Sequence, residues 1–386
     1  MITNGFTYFA FIVFFASMII LLEKKSKSKF FKYVPAIVVL YFTVMLLSTF
    51  GLWEKTDDVS RYYGLVKGNI LPAMIFLMLL RCDLRRIFKL GPKMLLGFFV
   101  ASCSIGLGFI VTYAIFNGFY EPGAWKAFAA LSGSWLGGTG NMAAIQGALK
   151  VPDSHMGYAL LIDSIDYSIW VMTLLALVPF AKKFNIWTKA DTKVLDDVGE
   201  ELAAAQQDMR DKVEFSDIMI LLGSSLFVSA LGQALAVYLP KTTFLTATTW
   251  TVLFATIAGV IFAMTPLGKL PGSNQLSNVM LYTIVGLIAS RANFGELTEA
   301  PIYIISGFVI LAIHGIILTI TAKVFKLDLF TCGIASLANI GGVASAPILA
   351  ASYSQVLVPI GVLMAMLGMI LGTGGGLFLG KIMSLL

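Results

Sequence analysis

The chain has 386 residues, of which 58% are hydrophobic and 12% are charged, and its mean hydropathy is +0.88. Soluble globular proteins carry about 25% charged residues. The composition therefore predicts a multi-pass membrane protein. The formal net charge of +6 does not indicate nucleic-acid binding, because the lysines and arginines cluster beside apolar segments, where membrane topology accounts for them.

The apolar segments predict membrane helices on both sides of a charged segment in mid-chain, since about 20 apolar residues suffice for one crossing. Lys24 and Lys25 follow the first segment, which places the first loop in the cytoplasm and the N-terminus outside. Arg85 and Arg86 mark a further cytoplasmic loop. The predicted segments lie near residues 6–22, 33–52, 63–80, 94–117, 127–149, 156–181, 216–239, 243–265, 275–290, 302–322, 329–350 and 355–380.

Two of these segments, 127–149 and 329–350, are interrupted by glycines and small polar residues. Non-helical backbone at membrane depth is tolerated only where protein or a watery cavity satisfies its polar groups. If segment 127–149 crossed the membrane, the charged segment in mid-chain would lie outside. If it is a re-entrant hairpin, the charged segment is cytoplasmic, which obeys the positive-inside rule better.

We therefore predict an all-α membrane protein with five crossings and one re-entrant or broken hairpin in each half. Because five is an odd number, the two halves are inverted repeats. The predicted organisation is a first repeat at residues 1–181 with hairpin 127–149, a cytoplasmic linker at 182–213, and a second repeat at 214–386 with hairpin 329–350.

An internal comparison supports the repeat. An ungapped alignment that pairs Asn69 with Asn278 also pairs Pro92 with Pro301. The loop before Pro92 is basic, whereas the loop before Pro301 is acidic. Such a charge reversal is expected if the same element lies at opposite membrane faces, and chance similarity is the alternative.

The first interruption, Ser132–Asn141, combines glycines with hydroxyl and amide side chains. Glycine lets a ligand approach the main chain closely, and a helix that begins after the break offers N–H groups and a positive dipole end to an anion. The pattern predicts a site for a carboxylate, or for an ion held by carbonyl oxygens. Close helix packing through small residues is the alternative. The candidate substrate-binding residues here are Ser132, Ser134, Gly137, Gly138, Thr139, Gly140 and Asn141.

The second interruption carries a similar set of small and polar residues. Its Gly-Gly pair aligns with the first pair when Ser132 is placed on Ser336. If the halves pack about a pseudo-twofold axis, the two tips meet near the membrane midplane. The candidate substrate-binding residues of this segment are Ser336, Asn339, Gly341, Gly342 and Ser345.

Asp163 and Asp166 are the clearest ionisable pair within a span. A spacing of three residues puts them on one helix face, and acids inside a membrane are costly and usually functional. Two carboxylates can bind Na⁺ or share a proton. We expect a coupling-ion role for Asp163, Asp166 and Asn141, with Na⁺ as the candidate metal at Asp166 and Asn141. A place at a watery loop is the alternative.

Two arginines end matching short spans, Arg291 in the second half and Arg81 in the first. A guanidinium can pair with a substrate carboxylate, and Arg291 is the preferred candidate. Anchoring at the membrane interface explains either residue equally well. His314, alone in its span, is expected to be a hydrogen-bonded core residue, and the glycines at Gly372–Gly376 are expected to allow close helix packing.

Motifs for enzymatic chemistry are absent from the sequence. It contains no His/Cys cluster for zinc, no nucleophile elbow and no phosphate-binding loop. We therefore expect neither an enzyme nor a cofactor other than a coupling ion.

Ser132–Asn141 and Ala338–Ala344 resemble the YjcL-like family of bacterial membrane proteins, and the resemblance covers nearly the whole chain. More distantly, the layout resembles the sodium-coupled glutamate and citrate (2-hydroxycarboxylate) carriers, whose inverted repeats carry hairpins with a Gly-Gly-x-Gly tip. Gly137–Gly140 fits that tip, whereas Gly341–Ala344 ends in alanine. The first resemblance implies a multi-pass protein of a bacterial cytoplasmic (inner) membrane. The second implies an elevator mechanism and a homodimeric scaffold.

Together these features predict a secondary active transporter. The preferred hypothesis is Na⁺- or H⁺-coupled symport of a small organic anion, such as a carboxylate, an amino acid or an acidic dipeptide. The alternative is a cation/proton antiporter that uses Asp163 and Asp166 without an organic substrate. The expected partners are the anionic solute, the lipid bilayer and a second copy of the chain, with no nucleic acid.

Overall fold

A computed structural model describes residues 1–26, 30–33, 36–190, 212–242, 245–292, 300–354 and 357–386. Within these ranges the chain is helical and forms no strand. Most of the predicted linker and the acidic loop before Pro301 lie outside the described residues. The helices of eight or more residues are α1 Gly5–Lys25, α2 Ala36–Thr49, α3 Asp57–Leu79, α4 Gly91–Phe116, α5 Trp125–Gly137, α6 Thr139–Leu149, α7 Asp153–Leu177, α8 Ala181–Thr188, α9 Phe215–Ala236, α10 Ala247–Ala263, α11 Ser273–Ala289, α12 Ala300–Phe325, α13 Leu329–Ile340, α14 Gly342–Tyr353 and α15 Val358–Met383.

Seven helical segments of the described chain are long and apolar enough to cross a membrane. They contain α1, α3, α4, α7, α9, α12 and α15, and the apolar helices α2, α10, α13 and α14 are shorter. The prediction of an all-helical, multi-pass membrane protein is confirmed. The ten crossings and the inverted repeats stay predictions, because helix length and composition do not show how many helices cross the membrane or in which direction.

Helix lengths recur in the same order in the two halves of the chain. Helix α4 has 26 residues and so has α12. The short pair α5 and α6, of 13 and 11 residues, corresponds to α13 and α14, of 12 residues each. Helices α7 and α15, of 25 and 26 residues, follow these pairs. The order is compatible with a repeated plan.

The helices form two groups. In the first group, α3 packs against α1, α9, α10 and α11, and α11 packs against α2. The second group contains α4 to α8 and α12 to α15, with α15 against α5 and α12 against α4. The two groups meet chiefly where α6 lies against α3 and α10.

Helices α5 and α6 run antiparallel and form hairpin 1. The chain reverses at Gly138, whose φ of 94° lies in a region that side chains disfavour. Gly133 on the first arm lies against Ile145 on the second, so closely that a Cβ on this glycine would overlap the isoleucine side chain. Residues on either side of the turn therefore lie together.

Helices α13 and α14 form hairpin 2 in the same way. Gly342 follows the turn with a φ of 56°. The rings of Phe330 and Tyr353, one near the end of each arm, have centroids 5.3 Å apart. Both interrupted segments therefore return toward the end at which they began.

Helix α15 presents glycines to hairpin 1 at every fourth position, which is one helix face. A Cβ on Gly368 would lie 3.0 Å from the carbonyl oxygen of Leu136, and one on Gly376 would lie 2.9 Å from the backbone nitrogen of Gly133. The expectation that glycines of the last span allow close packing is confirmed.

We expect Gly376→Ala to lower the melting temperature of the purified protein, because the new Cβ would press on the Gly133 backbone. Gly374→Ala is the matched control, since a Cβ at Gly374 has no neighbour within 4 Å. Both variants gain about 1 kcal/mol of helix propensity, whereas overpacking costs about 1–3 kcal/mol. Gly376→Ala should melt several degrees below Gly374→Ala, and equal melting temperatures would contradict the contact.

Candidate functional site

A cavity of about 380 Å³ lies at the turns of the two hairpins, and we name it the central cavity. The turns meet there, because a Cβ on Gly342 would lie 3.8 Å from the Cα of Gly138. Thr139 and Gly342, the first residues of α6 and α14, both line it. The positive ends of two helix dipoles therefore reach the same space.

Asp163 of α7 lines the central cavity with its carboxylate held in place by hairpin 1. Ser134 Oγ lies 3.1 and 3.2 Å from the two carboxylate oxygens, and the Trp135 indole N–H donates to Oδ1 over 3.0 Å. An ionised carboxylate offers about four acceptor positions. Capacity therefore remains on Asp163 for a proton or a cation that enters from the cavity.

Asp166 does not line the central cavity. Its side chain is fully buried, and neither carboxylate oxygen has a hydrogen-bond partner among the described residues. It packs against Gly307 of α12, where a Cβ would overlap the carboxylate. The two acids therefore have different surroundings despite their spacing of three.

The side chain of Asn141 forms its hydrogen bonds away from Asp166. Its amide Nδ2 donates to the Gly137 carbonyl oxygen over 2.8 Å, and its Oδ1 accepts from Thr373 Oγ1 over 2.6 Å. It fixes the turn of hairpin 1 to α15, whereas Asp166 faces α12. The predicted Na⁺ ligands Asp166 and Asn141 thus contact different helices.

Of the two arginines, Arg81 lines the central cavity. Within the described part of the chain its guanidinium makes no hydrogen bond and no ion pair, although its backbone carbonyl oxygen accepts from the Asp83 N–H over 3.0 Å. Arg291 lies elsewhere, with its guanidinium 4.7 Å from the Tyr63 ring centre and an N–H donating to Ser60 Oγ over 3.1 Å. The structure brings together Arg81, Asp163 and both glycine turns, and it leaves Arg291 outside.

Several predicted polar residues form bonds inside the protein. Ser132 Oγ donates to the carbonyl oxygen of Ala129 over 2.8 Å. Asn339 Oδ1 accepts from Ser102 Oγ over 2.8 Å. Ser345 is buried beside Gly341. The predicted residues that line the central cavity are Ser134, Gly137, Gly138, Thr139, Gly140, Gly341 and Gly342, together with Asp163.

Ser336 belongs to a buried network centred on His314. The hydroxyl of Ser104 donates to the Ala101 carbonyl oxygen over 2.8 Å, so it accepts from Nδ1–H of His314 over 2.7 Å. Nε2 of His314 then accepts from the Ser336 hydroxyl over 2.8 Å. The same serine oxygen accepts from the Trp170 indole N–H over 2.8 Å. When His314 is neutral and carries its proton on Nδ1, every N–H and O–H of this network has an acceptor. The expectation of a hydrogen-bonded core histidine is confirmed.

Sequence reasoning missed part of the cavity wall. Tyr167 follows Asp163 by one helical turn, a spacing that puts both on one face and that was visible in the sequence. The α11 residues carry no local motif, and only the fold brings them to the site. The missed polar lining residues are Glu23, Ser164, Tyr167, Asn274, Ser277, Asn278 and Tyr282.

Ser336→Ala should destabilise the protein by about 1–3 kcal/mol, because it leaves His314 Nε2 and the Trp170 N–H unpaired in a buried place. Ser352→Ala is the control, since Ser352 is exposed and its hydroxyl donates only to Leu349 of its own helix. Thermal unfolding in detergent measures the difference. Equal unfolding of the two variants would contradict the network.

Comparison with known proteins agrees with the membrane fold. The uncharacterized membrane protein YjcL of Bacillus subtilis (strain 168) is 24% identical over 387 residues, covering 96% of this chain and 95% of that protein. The resemblance to the YjcL-like family is thereby confirmed, and that to glutamate and citrate carriers stays a prediction. Residues 10–386 match the family described as "Protein of unknown function (DUF819)", and the chain belongs to that family.

Proposed function

We propose that this chain is a secondary active transporter that moves a small organic anion together with Na⁺ or H⁺. The observation that carries the proposal is the central cavity, in which both hairpin turns, Arg81 and Asp163 share one space. Ligands of transporters with broken helices bind at such helix ends. The cavity volume of about 380 Å³ is in the range of small-molecule sites.

The charged side chains of the cavity favour symport. Among the described residues that line it, Glu23, Arg81 and Asp163 carry charged side chains, so two acids oppose one base. An anion that entered alone would add to this excess of negative side chains. A cation at Asp163 offsets the excess and leaves the Arg81 guanidinium for a carboxylate, for which its planar fork is suited.

The surroundings of Arg81 support an opening toward the cytoplasm. Glu23 precedes the cytoplasmic lysines of the first loop, and Arg81 precedes the basic loop at Arg85. A further cavity shares Arg81 and two other lining residues with the central cavity, and Lys269 lines it as well. Basic side chains along such a path raise the local concentration of anions.

Hydrogen bonds between the two helix groups lie at the other end of hairpin 1. Tyr63 OH donates to Asp153 Oδ1 over 3.2 Å, and Tyr41 OH donates to the Asp153 carbonyl oxygen over 3.3 Å. Thr249 Oγ1 donates to the Ala148 carbonyl oxygen over 3.2 Å. These bonds close the side opposite Arg81. They support an elevator mechanism, in which the second helix group slides along a dimeric scaffold formed by the first.

Ligand-induced stabilisation tests the coupling. A solute that binds at 100 times its dissociation constant stabilises the folded state by about 2.7 kcal/mol. We expect one carboxylate or amino acid of a broad panel to raise the melting temperature, and to do so only with Na⁺ or at low pH.

Asp163→Asn should abolish the cation dependence. Arg81→Gln should weaken solute binding about 10-fold or more, since hydrogen bonds to charged groups contribute about 1.5–3 kcal/mol.

Arg291→Gln is the control for this experiment, because Arg291 lies outside the central cavity. Wild-type solute affinity in Arg81→Gln would overturn the role of the guanidinium. A shift with Na⁺ alone, unaffected by any solute, would instead support cation/proton exchange. Uptake of the stabilising solute into proteoliposomes under the matching ion gradient completes the test.

Accessibility to a membrane-impermeant thiol reagent tests the closed outer side. With the three native cysteines replaced, Thr139→Cys should react from the cytoplasmic side, because Thr139 lines the central cavity. Adding Tyr63→Phe removes the hydroxyl that holds Asp153, so labelling from the outside should rise several-fold. Tyr62→Phe, on the same helix, is the control. Unchanged outside labelling in the Tyr63 variant would count against this contact as a closure.

A further inference from the structure

A second cavity, of about 480 Å³, lies between α3, the end of α6 and the start of α10. None of the described residues lines both this cavity and the central cavity. The second cavity lies beside the Tyr63–Asp153 and Thr249–Ala148 hydrogen bonds that close the side opposite Arg81. We name it the outer cavity.

Lys67 is the unusual residue of the outer cavity. It lies within Asp57–Leu79, one of the segments that is apolar enough to cross a membrane. Ionisable residues inside a membrane are costly and usually face a polar cavity that they serve. A place in the outer cavity gives Lys67 access to water, but lining such a cavity does not by itself provide a counter-ion.

The contacts of Lys67 leave donors unused. Its ammonium donates to Tyr63 OH over 3.0 Å and lies 5.2 Å from the centre of the same ring. It makes no ion pair and no other hydrogen bond with a described residue. An ammonium has three donors, so two remain for water or a ligand.

The carboxylate nearby is already engaged. Asp153 Oδ1 accepts from Tyr63 OH over 3.2 Å and from Gln146 Nε2 over 3.1 Å. Tyr63 thus stands between Asp153 and the Lys67 ammonium. The outer cavity is also lined by Lys150, so among its described lining residues two lysines oppose one acid. This excess of positive side chains is opposite in sign to the excess of side-chain charge in the central cavity.

Helix α10 adds to this positive character. Its first two residues, Ala247 and Thr248, line the outer cavity. The N-terminal end of a helix carries a partial positive charge of roughly half an elementary charge. Lys67, Lys150 and this helix end therefore act on the same space from different elements.

We propose that the outer cavity binds a small carboxylate, with the Lys67 ammonium as its main contact and Lys150 as a second one. Lys67 lies on α3, and Arg81 follows the C-cap residue of the same helix, Leu80. A rise of 1.5 Å per residue places them roughly 21 Å apart along the axis. Helix α3 and the residues just after it thus supply a cation to each of two cavities. The binding step goes beyond the proposed transport and does not depend on it.

Charged thiol reagents test the site directly. Thr248→Cys, without the native cysteines, places a thiol in the wall of the outer cavity. We expect the ratio of the reaction rates with the negatively charged sulfonatoethyl methanethiosulfonate and with its positively charged trimethylammonioethyl analogue to exceed the same ratio for a free thiol such as 2-mercaptoethanol. Lys67→Gln should lower the ratio of the two rates about 5-fold or more, because one nearby charge is removed. Lys126→Gln, away from the cavity, is the control.

Protection of this thiol by added anions distinguishes binding of an anion in the outer cavity from electrostatic attraction of the charged reagent alone. Sodium acetate, citrate or L-glutamate should slow modification of Cys at position 248 relative to sodium chloride of equal ionic strength, and Lys67→Gln should remove this protection. Lys67→Arg should retain it. If Lys67→Gln fails to fold, Lys150→Gln, a change at an exposed side chain, should lower both the rate ratio and the protection.

Two results would overturn the proposal. One is a rate ratio that neither lysine variant changes, and the other is a charge preference without protection by any of the three anions. Neither result bears on the central cavity, which is tested by Arg81→Gln and Asp163→Asn. A failure of the proposed transporter function is therefore distinguishable from a failure of the outer site.

Discussion

Close contact between α15 and hairpin 1 is the constraint on which the candidate site depends. In a membrane no hydrophobic effect draws helices together, so small residues that admit close packing and polar bonds between helices take that role. The glycine face of α15 brings its backbone against Gly133. At this distance Thr373 reaches Asn141, which in turn holds the Gly137 carbonyl oxygen at the turn. The position of the turn, and with it the donor Ser134 beside Asp163, follows from that contact.

The positions of the two turns were predictable because glycine is where a chain reverses at low cost. Gly138 and Gly342, with φ values of 94° and 56°, occupy backbone conformations that other residues disfavour. The number of crossings is harder to predict from hydropathy. Helices α2 and α11 have 14 and 17 residues, fewer than the about 20 of a regular span. Whether these two helices cross the membrane therefore depends on the helices packed around them, and a hydropathy window along the sequence carries no information on those contacts.

The candidate site was predictable only in part. Helical periodicity shows which residues share one face of a helix, but not which other helix that face contacts. Residues three apart on a helix differ by about 60° in direction. That difference is enough to turn Asp163 toward the hairpin and Asp166 toward α12, where Gly307 leaves room for a carboxylate. The repeat alignment likewise places Arg81 only one position away from Arg291, at the ends of matching short spans. Only the packing of hairpin 1 against the first helix group decides which of them reaches the central cavity.

The charged side chains of the two cavities have an excess of opposite sign. One hydroxyl, that of Tyr63, connects the outer cavity to the contact between the helix groups. Tyr63 OH donates to Asp153 and accepts from Lys67. An anion that draws the Lys67 ammonium away removes one partner of this hydroxyl, while the bond to Asp153 still joins the groups. A ligand shifts a conformational equilibrium only through its different affinity for the two states. A link between occupancy of the outer cavity and separation of the helix groups therefore requires that an anion bind one arrangement of Lys67, Tyr63 and Asp153 more tightly than the other.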